Sequence, residues 1–192
     1  MYLQGDDARS VYLLRSGLVK TSVLSPSGAE VTLRVHRSGD IFGELCLCAG
    51  ERRDQATALE GSEVVEIPLA AFLAQLQCDP SAALDFTRAV CERLAEADEQ
   101  LRSISLDPVL GRLGRALLRL AAGRGDTPTG SGEITHAITQ EELARMIGAR
   151  REVVSGLLNR LREHGLIRYA PRGPIHVDRG ALQAFLRSIE RE

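Results

Sequence analysis

No stretch of this chain approaches the roughly 20 consecutive apolar residues that a membrane-spanning helix needs. The opening Met1-Tyr2-Leu3-Gln4-Gly5-Asp6-Asp7 has neither the basic start nor the apolar core of a signal peptide, so a cytoplasmic protein is expected. Tryptophan is absent and aromatic residues make up 4 %, which leaves an otherwise 44 % apolar composition to supply the core. Cysteine is sparse: Cys46, Cys48, Cys78 and Cys91 show no C-x-x-C spacing and no matching histidine cluster. Idle thiols in a reducing compartment, no metal site and no cofactor are therefore expected. There is no P-loop and no G-x-S-x-G, and His36, His136, His164 and His176 are scattered, so an enzyme is not expected. Lysine is nearly missing too. Lys20 is the single lysine among 24 basic residues, a bias that genome composition or a hot habitat explains as well as function does.

The net charge of −2 conceals an asymmetry. Residues 1–106 carry 10 basic and 16 acidic side chains, whereas residues 107–192 carry 14 basic and 10 acidic. A basic second half suggests a polyanionic partner for it.

From Val11 to about Pro68 the text is strand and turn. Val11–Leu14, Leu18–Leu24, Val31–Val35 and Glu63–Ile67 read as strands, separated by Ser16-Gly17, Ser25-Pro26-Ser27-Gly28 and Gly39-Asp40. Short strands at such spacing suggest a sandwich, barrel or jelly roll. The pattern then changes. A short helix is expected over 71–76 and a long one over 81–106, in which Ala83, Thr87, Val90, Leu94, Ala97, Leu101 and Ile104 recur at alternating spacings of four and three. That is a heptad seam, open to two readings: a core helix on its own domain, or the favoured seam between two copies. Asp107-Pro108 breaks it. Another helix is expected over 109–122, and the Gly/Thr/Ser/Pro-rich residues 123–132 are expected to be a loop. The class is α+β, divided as residues 1–80, the helix 81–106, and residues 107–192.

Thr139-Gln140-Glu141-Glu142 is a capping box that opens a short helix with Leu143, Met146 and Ile147 inward. Gly148 ends it. A second helix is expected from near Arg150 to His164, with Val153, Val154, Leu157, Leu158 and Leu161 inward and Gly165 as its stop. Two short helices about a glycine turn make a helix-turn-helix, whose second helix enters the major groove by its N-terminal end. Arg150, Arg151, Glu152, Ser155, Gly156 and Asn159 would face outward. Arginine can bond guanine O6 and N7 together, and glutamate can accept from cytosine N4. The expected base readers are Arg151 and Glu152, with Arg150 and Ser155 beside them. Thr139 and Gln140 start the preceding helix and suit phosphate. Leu166–Tyr169 and Ile175–Val177 read as the strands of a wing, with Arg172 at its tip as a further phosphate contact.

With these residues in place, the sequence resembles the cAMP receptor protein/FNR family of bacterial transcription regulators. Ser16-Gly17, Gly28 and Gly39-Asp40-Ile41-Phe42-Gly43-Glu44-Leu45 are similar to the family's cyclic-nucleotide-binding jelly roll and phosphate cassette. Helix 81–106 is similar to its dimerisation helix, and Ile138–Ile167 to its helix-turn-helix. The resemblance implies a homodimer, with Val90, Leu94, Ala97, Leu101 and Ile104 as its seam, on a two-fold symmetric operator. It also implies a contact between RNA polymerase and the loop carrying Arg124, Asp126 and Thr127, so an activator is expected.

Three departures matter. Family members carry a longer segment before the position of Leu3-Gln4-Gly5-Asp6, so either the start is truncated or the jelly roll is shortened. Gly43, Glu44 and Arg52 match the cassette, but Arg53 stands where cAMP binders have serine, and Ala97-Asp98 stands where they have Thr-Ser. A vestigial effector site at Gly43, Glu44, Arg52 and Arg53, with no useful cAMP binding, is expected. The family's second reading arginine aligns with Gly156, so the half-site is expected to be relaxed at one G. The alternative keeps DNA binding but switches it by an unidentified small ligand or by oxidation of Cys46 or Cys48.

Overall fold

Val11 and Leu14 are both fully buried, although they point to opposite faces of one strand, β1 (Ser10–Ser16). That double burial organises the first half of the protein. The computed structural model describes residues 1–122, 131–135, 138–170 and 173–189. The chain divides into two compact units, Met1–Asp98 and Glu99–Glu192.

In the first unit, β1 pairs antiparallel with β4 (Ile41–Phe42) and β6 (Glu63–Pro68). A second sheet sets β2 (Val19–Leu24) between β3 (Glu30–His36) and β5 (Gln55–Ala58). The two sheets enclose one cluster of Tyr2, Tyr12, Leu14, Val19, Phe42 and Ala56. The other face of β1 places Val11 with Ala8, Cys46 and Phe72, and Phe86 packs against them. Phe72 lies on α1 (Leu69–Cys78) and Phe86 on α2 (Pro80–Leu106). β1 is thus sandwiched, which is why its apolar residues do not alternate. β4, β5 and a 3-10 turn at Glu44–Leu47 lie outside the strands that the sequence suggests. Gln55-Ala56-Thr57-Ala58 has little β propensity and is a strand because β2 supplies its partner.

α2 starts with proline in its first turn, where the missing N–H costs nothing. The preceding Asp79 caps it, its Oδ1 accepting from the Ser81 and Ala82 amides at 3.0 and 3.1 Å. Val90, Leu94, Ala97, Leu101 and Ile104 are all exposed, Leu94 and Leu101 by more than 60 %. These seam residues are therefore not buried within this chain, although Phe86 of the same helix packs on the first unit's core.

In the second unit, α3 (Val109–Ala121), α4 (Gln140–Ile147), α5 (Arg151–Glu163) and α6 (Arg179–Ile189) surround a sheet of order β7-β9-β8, with β7 at Ser131–Ile134, β8 at Ile167–Arg168 and β9 at Ile175–Asp178. Leu113, Leu117, Ile134, Leu143, Val154, Leu158, Leu161, Ile167 and Leu182 form its fully buried centre. Ser131 and Gly132, read from composition as loop, begin β7 because they pair with Asp178 and Val177. The rest of that loop lies outside the described residues. α6 has no counterpart in the expected elements; Leu182 and Leu186 bury it.

The first unit contains one buried titratable group with a clear consequence. His36 is 2 % exposed, hydrogen-bonded to Thr21 Oγ1 at 3.1 Å and packed on the Phe42 ring. Burial, aided by the positive charges of Arg93 and Arg34, pulls its pKa down to about 3. The unfolded chain, with a histidine pKa of about 6.5, takes up a proton that the folded one refuses. This contribution to stability is complete above about pH 6.5. It is lost as pH falls towards the folded value, by up to about 1.4 kcal/mol per pH unit. Urea midpoints should fall between about pH 6.5 and 5.5, and the slope should flatten in His36→Gln.

Candidate nucleic-acid interface and effector cassette

The helix-turn-helix is built by two local devices. Thr139 has extended backbone, and its Oγ1 accepts from the Glu142 amide at 3.2 Å, so the expected cap is formed. Gly148 adopts φ 61, ψ 47, and the next amide, Ala149 N–H, donates to Ala144 O at 3.0 Å. That left-handed residue ends α4 and redirects the chain into α5. Leu143, Met146 and Ile147 are buried as expected, and Glu142 is buried beside them, paired with Arg145 at 2.7 Å.

α5 begins at Arg151 with Arg150 as its N-cap. Arg150, Arg151 and Glu152 are exposed, and Ser155 is half-buried. Their side chains make no hydrogen bond or ion pair among the described residues. Leaving two guanidiniums and a carboxylate unpaired at a helix start is compatible with water, and it leaves every donor and acceptor available to a partner. Asn159 differs from expectation: its Oδ1 accepts from Tyr169 O–H at 3.0 Å, and the Arg162 guanidinium lies 5.1 Å from the Tyr169 ring centre. Tyr169 thereby ties the end of β8 to α5. Val153 corrects the inward list. It is 43 % exposed, while Val154, Leu158 and Leu161 are buried and Leu157 is half-buried. Thr139 is exposed and Gln140 half-buried at the start of α4, where the first amides have no intrahelical acceptor. Arg172, Arg124, Asp126 and Thr127 lie outside the described residues.

The cassette is assembled around Gly43, whose φ is 77. A Cβ there would meet Arg52 Nη1 at 2.9 Å and the Tyr12 ring at 3.2 Å, so glycine is required both by backbone and by crowding. Arg52 is 4 % exposed and donates to Gly43 O at 2.9 Å and Ser10 O at 2.6 Å, with its guanidinium 4.2 Å from the Tyr2 ring centre. Glu44 pairs with Arg93 of α2 at 2.7 Å, and Arg93 also donates to Ile41 O. Arg53 is exposed and makes no hydrogen bond or ion pair with the cassette among the described residues. Asp54 is buried, and its partner is the Tyr2 hydroxyl at 3.2 Å. Burial pushes its carboxyl up. Tyr2 and Arg93 are the cassette residues that sequence reasoning missed. Nothing local marks them, because each meets the cassette across about 50 residues of chain.

Cys46 is buried and its thiol is pushed up by burial, which disfavours the reactive thiolate. Among the described residues no group of His, Cys, Asp or Glu is placed to hold a metal ion. Thr139→Ala should lower stability by about 1 kcal/mol through the lost cap, measured by urea denaturation. It should leave the His36-dependent pH slope unchanged.

Comparison with known proteins agrees with this division of labour. The cyclic nucleotide-binding domain model matches residues 1–79, and the Crp-like helix-turn-helix domain model matches residues 111–185. The cyclic AMP receptor protein of Thermus thermophilus is 33 % identical over 183 residues, covering 95 % of this chain and 81 % of that protein. The CRP-like cAMP-activated global transcriptional regulator of Mycobacterium tuberculosis is 30 % identical over 169 residues, covering 88 % and 75 %. Among solved structures, FixK2 from Bradyrhizobium japonicum superposes with TM-score 0.82 at 20 % identity, over 96 % of this chain and 90 % of that one, and shares the fold. A CRP-family transcriptional regulator from Thermus thermophilus gives TM-score 0.75 at 28 % identity, over 98 % and 92 %. With a nucleotide-binding-type β roll, a helix-turn-helix whose second helix starts with exposed Arg150, Arg151 and Glu152, and relatives spanning both, the chain belongs to the cAMP receptor protein/FNR family of bacterial transcription regulators.

Proposed function

We propose that this regulator binds its operator without an effector, as a cytoplasmic homodimer on a two-fold symmetric site, and acts as an activator. One contrast carries the reading. The reading head presents Arg150, Arg151 and Glu152 with no internal partner among the described residues, whereas the cassette's Arg52 and Glu44 are already held by backbone carbonyls and by Arg93. A ligand phosphate would have to displace two hydrogen bonds from Arg52. It would gain no serine at position 53, and the adenine would meet Ala97. A polar group left unpaired in a site built to bond it costs on the order of 1–3 kcal/mol.

The exposed seam of Val90, Leu94, Ala97, Leu101 and Ile104 supports the dimer, since a heptad row left in water is stabilised by a second copy. Two recognition helices then address half-sites about one helical turn apart. In this reading, Arg151 bonds guanine and Glu152 a cytosine amine. Arg150 and Ser155 border them, and Thr139, Gln140 and Arg172 hold phosphates. Activation runs through Arg124, Asp126 and Thr127 against RNA polymerase.

Selection of bound DNA from a random pool, with and without cAMP, tests the reading. The same symmetric consensus should emerge in both arms, and calorimetry should show no micromolar cAMP binding. Strict dependence on added ligand overturns effector independence. Arg151→Ala should cost about 1–3 kcal/mol on the selected site and little on random DNA. Equal losses on both would make Arg151 a phosphate contact.

A further inference from the structure

Val153 is an anomaly in α5. The other apolar side chains of that helix are buried or half-buried, yet Val153 is 43 % exposed on the first turn, directly after Glu152. Three residues on, and so adjacent on the helix surface, stands Gly156, also exposed. Glycine weakens a helix interior, and nothing among the described residues requires it there. A Cβ would meet no atom within 4 Å, and the backbone is not in the left-handed region. Val153 and Gly156 together form a small apolar, low-relief patch beside the outward Arg151-Glu152 pair.

The chemistry of the major groove has one feature that fits such a patch. Base edges there present donors and acceptors, and the single apolar group is the C5-methyl of thymine. A glycine lets the helix backbone approach its partner closely, which brings the neighbouring valine within reach of a methyl. We propose that Val153, made accessible by Gly156, is a specificity-determining residue that reads a thymine methyl next to the base pairs addressed by Arg151 and Glu152. The inference rests on the base-reading conclusion above. It replaces a position of merely relaxed G preference with a positive preference for A·T.

The test is a uracil scan. In the selected operator each thymine is replaced singly by deoxyuridine, which removes only the methyl, and the affinity of the full-length protein is measured. One position per half-site should weaken wild-type binding by about fourfold, the worth of one buried methyl-sized group. Val153→Ala, an exposed change to a better helix former, should keep the wild-type melting temperature. It should bind thymine and uracil operators equally at that position. The inference is overturned if no thymine is sensitive, a result that would leave Val153 to a protein partner. It is equally overturned if the sensitive thymine stays sensitive in Val153→Ala. Failure of the wild-type protein to select any consensus would instead remove base reading itself, and this inference with it.

Discussion

The left-handed turn at Gly148 is the constraint on which the reading head depends. An L-residue in that conformation is disfavoured by roughly 1–2 kcal/mol, and glycine avoids the penalty. Because the chain reverses there, Leu143 and Ile147 of one helix share a buried centre with Val154 and Leu158 of the next. Once that centre is filled, the rotation of α5 about its own axis is set. Arg151 and Glu152 face outward as a consequence of packing on the other side. Tyr169, bonded to Asn159, ties the far end of the helix to β8.

Some charged groups are held inside the fold and others are left in water; Glu142 with Arg145 in the second unit is of the first kind, as are several groups of the β roll. In the β roll, charged groups are taken out of water and given internal partners: Lys20 with Glu30 at 2.8 Å, Arg93 with Glu44, Arg52 with two carbonyls. A buried charge without such partners is costly, so these groups are committed to the fold. At the start of α5 the arginines remain in water and are committed to nothing within the described chain. Buried charges with internal partners and exposed charges left to water are two outcomes of the same rule.

Much of this was legible in the sequence, because the signals were local. The Thr139 cap and the Gly148 turn each occupy a few residues, and each was found where the sequence put it, as was the long helix α2. The strands of the roll were legible where β-branched residues recur. β5, the Tyr2–Asp54 contact and the Arg93–Glu44 pair were not, since each depends on a partner about 30 to 50 residues away and leaves no local pattern.

Val153 marks the boundary between the two kinds of knowledge. The periodicity of α5 places it at the edge of the apolar stripe, and a stripe's edge has no sharp angle in a sequence. By itself the sequence determined that a capped helix, a glycine turn and a second helix would present Arg151 and Glu152. It also determined that glycine stands at position 156. Only tertiary structure decided that Val153 lies outside the core and that Arg52 lies inside it. Burial is settled by what packs alongside, and those neighbours come from elsewhere in the chain.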